Sequence, residues 1–198
     1  MIKNLLVRSV IILISAFFVL SLGSCISANA AEFSADMLSN NVIKGKIYVK
    51  GENFRQEIKT PGGNQVMIFR NDKGLVWTLM PQNRMYLEMS GTAMGDINPR
   101  VVQKEIEKTA KKEHLGKENV NGYTCEKYKF IFRDKSKGST IQWLSKKLKF
   151  PVKMEINSPD GQVVIEYKNI KETKLSDSLF KVPSGYRKMT MPAGMLGM

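Results

Sequence analysis

Few side chains in this sequence are equipped for covalent or acid–base chemistry. His114 is the only histidine, and it follows the charged run Lys111-Lys112-Glu113, which reads as a solvated surface. A Ser-His-Asp arrangement needs a positioned serine, and no G-x-S-x-G turn is present. Cys25 and Cys125 are the only cysteines, so one histidine and one mature cysteine cannot fill a standard zinc site. Gly62-Gly63 lacks the Lys-Ser/Thr pair that completes a phosphate-cradling loop. Glu126 and Glu166 are carboxylates that folding can bring together, but no spacing requires it. The expectation is a protein that is not an enzyme, with no catalytic residues, no cofactor and no metal.

The thioethers are the other candidates. Met80, Met85, Met89 and Met94 cluster, as do Met189, Met191, Met195 and Met198. Thioether sulfur is a soft ligand for Cu(I). It is also flexible and polarisable, and adapts to apolar ligands of varied shape. Core or lipid-facing lining is the main reading, and a Met-based copper binder the alternative. Cys125 reads as a small core residue in a strand, with a reactive thiol as the alternative.

The N-terminus bears on where any such chemistry takes place. Lys3 and Arg8 precede an apolar run from Ser9 to Leu22, too short to span a bilayer comfortably. Ala28-Asn29-Ala30 is an A-x-A cleavage pattern, so residues 1–30 read as a signal peptide of a periplasmic protein. Leu22-Gly23-Ser24-Cys25 competes with it as a lipobox, in which Cys25 is lipidated and anchors the chain to a membrane. The chain has 198 residues and a formal net charge of +13. Residues 31–198 hold 29 Lys and Arg and all 18 acids, so the excess lies in the folded part. A basic surface favours an anionic membrane surface or an acidic envelope protein. Nucleic acid is not expected as a partner, because acids alternate with lysines through most strands.

Strand-like segments recur every 10 to 12 residues from Glu32 to Met89, each closed by a Gly, Asn or Pro turn. Pro99 to about Lys112 reads as a helix, with Pro99 suited to the first turn. Strands resume from Tyr123 to Tyr167, with Ser158-Pro159-Asp160-Gly161 as a hairpin signal. Leu175 to Phe180 reads as a helical turn capped by Ser176. The pattern predicts about ten strands, one inserted helix and no parallel doubly wound sheet. The pattern also predicts one domain over residues 31–188 and a Met-rich flexible tail over residues 189–198.

Motifs spread over nearly all of residues 32–189 resemble the LolA/LolB-like superfamily, in an uncharacterised branch. They are Trp143-Leu144, Phe150-Pro151-Val152-Lys153-Met154-Glu155, Glu166-Tyr167-Lys168-Asn169-Ile170 and Leu179-Phe180-x-Val182-Pro183-x-Gly185-Tyr186. In the first half they are Gly45-Lys46-Ile47-Tyr48-Val49 and Val76-Trp77-x-Leu79-x-Pro81 through Tyr86-x-Glu88-Met89. The resemblance implies a mainly β fold: a curved antiparallel half-barrel with an apolar cavity for acyl chains. It implies a carrier of lipids or lipoproteins, and the motifs are structural, none catalytic. The strongly basic charge and the single substantial helix depart from that group.

The strand alternation and this resemblance together nominate Ile47, Val49, Met67, Phe69, Trp77, Leu79, Tyr86, Trp143, Met154 and Ile165 as cavity lining. Burying a methylene is worth about 0.8 kcal/mol, so a chain of about 14 carbons offers roughly 11 kcal/mol gross. An envelope structural or sensory module with a filled interior is the alternative to a carrier.

Overall fold

The computed structural model describes residues 31–60, 63–90 and 99–190. The proposed signal peptide, its two cleavage patterns and Cys25 lie outside these residues, as do Met94, Met191, Met195 and Met198.

Six strands come first: β1 (Glu32–Ser39), β2 (Val42–Lys50), β3 (Asn53–Thr60), β4 (Gly63–Arg70), β5 (Leu75–Met80) and β6 (Met85–Ser90). The helix α1 (Pro99–Thr109) follows. The second run comprises β7 (Ala110–Val120), β8 (Tyr123–Phe132), β9 (Ser139–Ser145), β10 (Phe150–Ser158) and β11 (Gly161–Glu172). The last of three short 3-10 turns among the described residues, at Asp177–Phe180, and the short β12 (Arg187–Met189) end the described chain.

All twelve strands join one unclosed sheet in the order β12-β6-β5-β4-β3-β2-β1-β11-β10-β9-β8-β7. Each run is an antiparallel meander, and the two are sewn together where β1 pairs with β11. Only β12 pairs in parallel, against β6. A twisted sheet of this width curls, and the result is the expected curved half-barrel with one inserted helix and a short C-terminal helical turn.

Local sequence explains the hairpins. Asn40 and Asn41 both take positive φ, 49° and 64°, the geometry of a two-residue turn matched to strand twist. Asn121-Gly122 does the same between β7 and β8, at 50° and 83°. At Gly45 a Cβ would overlap the Glu57 carbonyl oxygen, so only glycine lets β3 approach β2 there.

Two elements depart from the sequence expectation. The helix stops at Thr109 instead of about Lys112, and Ala110–Val120 forms β7. The Ala-Lys-Lys-Glu stretch favours helix locally, but its backbone pairs with β8 from Ala110 onward, and tertiary pairing overrides propensity. Pairing likewise draws Met189 of the expected tail into β12. The described residues therefore hold twelve strands where about ten are expected.

Register fixes what each face of the first meander carries. Phe33, Val49, Phe54, Phe69, Val76 and Met89 stand opposite one another across β1 to β6. The adjacent row is Ala35, Ile47, Gln56, Met67, Thr78 and Leu87. Of these rows Phe33, Val49, Phe54, Phe69, Val76, Ala35, Ile47 and Met67 build the main core together with Tyr167, Val152 and the half-buried Phe150 from the second meander. Phe150 packs its ring 5.5 Å from Phe33 and 5.2 Å from Tyr167. Cys125 is fully buried in this core, and burial pushes its thiol pKa up, as fits an inert packing residue.

The opposite face of β2 to β6 carries Tyr48, Ile68, Val66, Trp77, Leu79 and Tyr86. Leu175, Leu179, Phe180 and Tyr186 from the C-terminal segment pack on it. Three cations tie that segment down by donating to its carbonyl oxygens: Lys50 to Leu175 at 2.8 Å, Arg55 to Leu179 at 3.0 Å and Arg70 to Phe180 at 3.0 Å. Ser176 caps the turn, accepting from the Ser178 amide as its sequence position predicts.

Candidate functional site

The ten nominated lining residues do not share one face. Ile47, Val49, Met67 and Phe69 lie on the core face of the first meander, and Met154 and Ile165, directly paired on β10 and β11, join the same cluster. Trp77, Leu79 and Tyr86 lie on the opposite face, under the C-terminal segment. A strand alternates sides at every residue, so Trp77 cannot accompany Val76, nor Leu79 accompany Thr78. Trp143 touches the core cluster and is 2% exposed, yet polar groups hold it. Its indole N–H donates to Glu118 at 2.9 Å, and the ammonium groups of Lys127 and Lys153 sit 4.6 and 4.4 Å from its ring centroid.

The core face changes character along its rows. Toward β1 and β2 it is closed, with Phe33 and Ile47 fully buried. Toward β4 to β6 the same face carries Met67, Met80, Met85, Leu87 and Met89, all half-buried. Met80 and Met85 are directly opposed across β5 and β6, and Met189 of β12 stands beside Leu87. The outcome is an apolar ledge, rich in thioethers, at the β6 side of the open sheet. The methionines of the first group are visible in the sequence as a cluster, but Leu87 and Met189 join them only through register.

A second feature is polar. Glu126 on β8 is 8% exposed and is met by three basic side chains. His114 Nε2 lies 2.8 Å away, Lys146 Nζ 3.0 Å and Lys117 Nζ 3.7 Å. Hydrogen bonds from Lys146 and then His114 hold the Glu126 carboxyl below its ordinary pKa, and the same carboxylate raises Lys146. His114 is thus a surface ring with a specific partner, more than the solvated residue expected from its neighbours.

Glu126 forms part of the wall of an open cleft of about 650 Å³ where the β7–β8 and β9–β10 turns meet the end of β11. Across it Lys147 pairs with Glu172 at 2.6 Å, and the Tyr123 hydroxyl donates to Glu172 at 2.9 Å. Burial, and then the Glu172 carboxylate, push the Tyr123 phenol up to about 12. A smaller cleft of about 500 Å³ shares Ile170 with the first and is lined by Asp36, Lys46, Tyr48 and Lys171 among others. None of the ten nominated residues lines either cleft. Among the described residues no group of three or more His, Cys, Asp or Glu is placed to hold a metal ion.

No curated protein matches the sequence. Solved structures do match by shape. An uncharacterized conserved protein from Thermus thermophilus is 11% identical, with a TM-score of 0.57 over 82% of this chain and 92% of that one. MucB is 12% identical, with a TM-score of 0.54 over 80% of this chain and 60% of that one. The LolA superfamily protein NE2245 from Nitrosomonas europaea is 14% identical, with a TM-score of 0.37 over 77% of this chain and 90% of that one. The first two share the fold of the curved open sheet, the architecture that the LolA/LolB-like motifs imply. Residues 34–149 and 132–186 match a family described only as a domain of unknown function, DUF4412, and the chain belongs to that family.

Proposed function

We propose that this is an exported, non-catalytic binding or carrier protein for the acyl chains of lipids or lipoproteins in the cell envelope. The observation that carries the reading is the half-buried ledge of Met67, Met80, Met85, Leu87 and Met89, which shares by register the core face of an unclosed sheet, with Met67 packed on the core itself. Contiguous apolar surface on a soluble domain marks a place that something else covers. Thioether side chains suit an occupant of variable shape, because each has three rotatable bonds and no fixed contour. An acyl chain laid along Met67, Leu87, Met85 and Met89 would meet apolar atoms without displacing a charge. Residues 1–30 support export, with release after Ala30 or anchoring through Cys25 as the two outcomes.

A fluorescent fatty-acid probe tests the reading. The purified protein should bind it saturably, and phospholipid should displace it. Leu87→Glu, which puts a carboxylate on the ledge, should weaken binding about tenfold or more, since an unpaired charge facing a hydrocarbon chain is strongly unfavourable. Leu115→Glu should leave binding unchanged, because Leu115 is 47% exposed on β7, away from the ledge. Absence of saturable binding, or equal binding by both variants, would overturn the reading.

A further inference from the structure

The cleft beside Glu126 adds a polar half to the acyl-chain reading, on which it rests. We propose that this cleft seats a phosphate-bearing anion, as a lipid headgroup or a free phosphate ester, held by Lys117, Lys146 and Lys147.

Glu126 is the anchor. A carboxylate this buried must be paired, and one cation would neutralise it. It has two lysines and a histidine within 3.7 Å. An ammonium carries three donors, and binding one carboxylate leaves the others free. Lys117, Lys146 and Lys147 have side chains 65%, 79% and 69% exposed, so their charged ends stand in the open cleft. Its wall holds these three lysines against Glu126 and Glu172, a positive balance. Thr124 adds a hydroxyl donor on the same wall.

The apolar side of the cleft suits an amphiphile. Tyr123 and Ile170 line it and also pack against the main core cluster, so the cationic rim passes directly into apolar wall. Ile170 is placed there by the irregularity where β11 pairs with β1, at Asn169 with φ of 51°. The same residue bounds the second cleft, where Lys46, paired with Asp36 at 4.0 Å, stands with Lys171.

Co-sedimentation of the full chain with vesicles tests the proposal. Phosphatidylglycerol and phosphatidylcholine vesicles of identical acyl composition are compared at about 0.15 M salt, where general surface attraction is screened beyond about 8 Å. The wild-type chain should prefer phosphatidylglycerol roughly tenfold or more, as three lysines near an anionic surface allow. Lys117→Gln/Lys146→Gln/Lys147→Gln should lose that preference. Lys44→Gln/Lys59→Gln/Lys73→Gln removes the same charge from exposed positions outside both clefts and should keep it.

Titration calorimetry with inorganic phosphate separates the two sources. Saturable heat with the wild type, lost in the cleft variant, identifies free phosphate esters as ligands. A vesicle response alone identifies the headgroup. Equal loss in both triple variants would reduce the effect to overall charge and overturn the proposal. So would a wild-type chain that neither prefers phosphatidylglycerol nor binds phosphate. The fatty-acid probe distinguishes this failure from that of the carrier reading. Probe binding without a cleft-dependent preference sinks the headgroup site alone, and cleft-dependent preference without probe binding sinks the acyl-chain reading alone.

Discussion

At the scale of single residues, Glu126 shows what sequence reading can and cannot find. It lies twelve positions from His114, and the Asn121-Gly122 turn folds the two strands so that their side chains meet. Asn-Gly is the strongest short hairpin signal, so the pairing of β7 with β8 is legible in the sequence. The meeting of His114 with Glu126 is not, because register shifts between His114 and Gly116, where Leu115 bulges out. One extra residue on an edge strand decides which side chain faces which. The cluster has a consequence in acid. A carboxyl whose folded pKa is lowered stabilises the fold above its unfolded value, and that contribution is lost as pH falls through the folded one. Glu126→Gln should therefore lower the midpoint of thermal unfolding at neutral pH and flatten its decline in acid, so that the variant and wild-type curves converge. Melting curves across the acid range check this, and curves that stay parallel would contradict it.

Elements differ in legibility for physical reasons. The six strands of the first meander alternate apolar and polar side chains and end in Gly, Asn or Pro turns, so periodicity and punctuation agree. β7 breaks the pattern because it is an edge strand, solvated along most of its length, with only Val120 at its end buried in the core. Its charges and bulge blunt an edge that would otherwise pair with other chains. β12 is three residues long and exists only because β6 lies beside it. The C-terminal turn sits between these cases. Ser176 and the apolar Leu175, Leu179 and Phe180 are readable, but Lys50, Arg55 and Arg70 reach it from 110 to 127 positions away. Phe180 is 2% exposed and fixes this segment on the face carrying Trp77 and Leu79. Phe180→Ala should cost about 3–5 kcal/mol, the range for removing a buried aromatic ring. Urea unfolding measures it, and a loss below about 1 kcal/mol would mean that the segment is not packed as described.

For the whole molecule, the decisive feature is that two meanders joined at β1 and β11 make one sheet that curls without closing. Fold class and resemblance were legible because strand rhythm and the Trp, Pro and Gly-Tyr motifs report architecture. The lining was only partly legible. Apolar strand residues occur on both faces, and one-residue alternation sends Trp77, Leu79 and Tyr86 to the face covered by the C-terminal segment. The half-buried methionines around Leu87 are the part of the core face on which the proposed acyl-chain binding rests. Methyl-labelled methionine NMR addresses that ledge directly. On titration with a fatty acid, the methyl signals of Met67, Met80, Met85 and Met89 should shift saturably. The signal of Met37, 7% exposed on β1, should stay in place. Ledge methyl signals that do not move at saturating fatty acid would contradict the account.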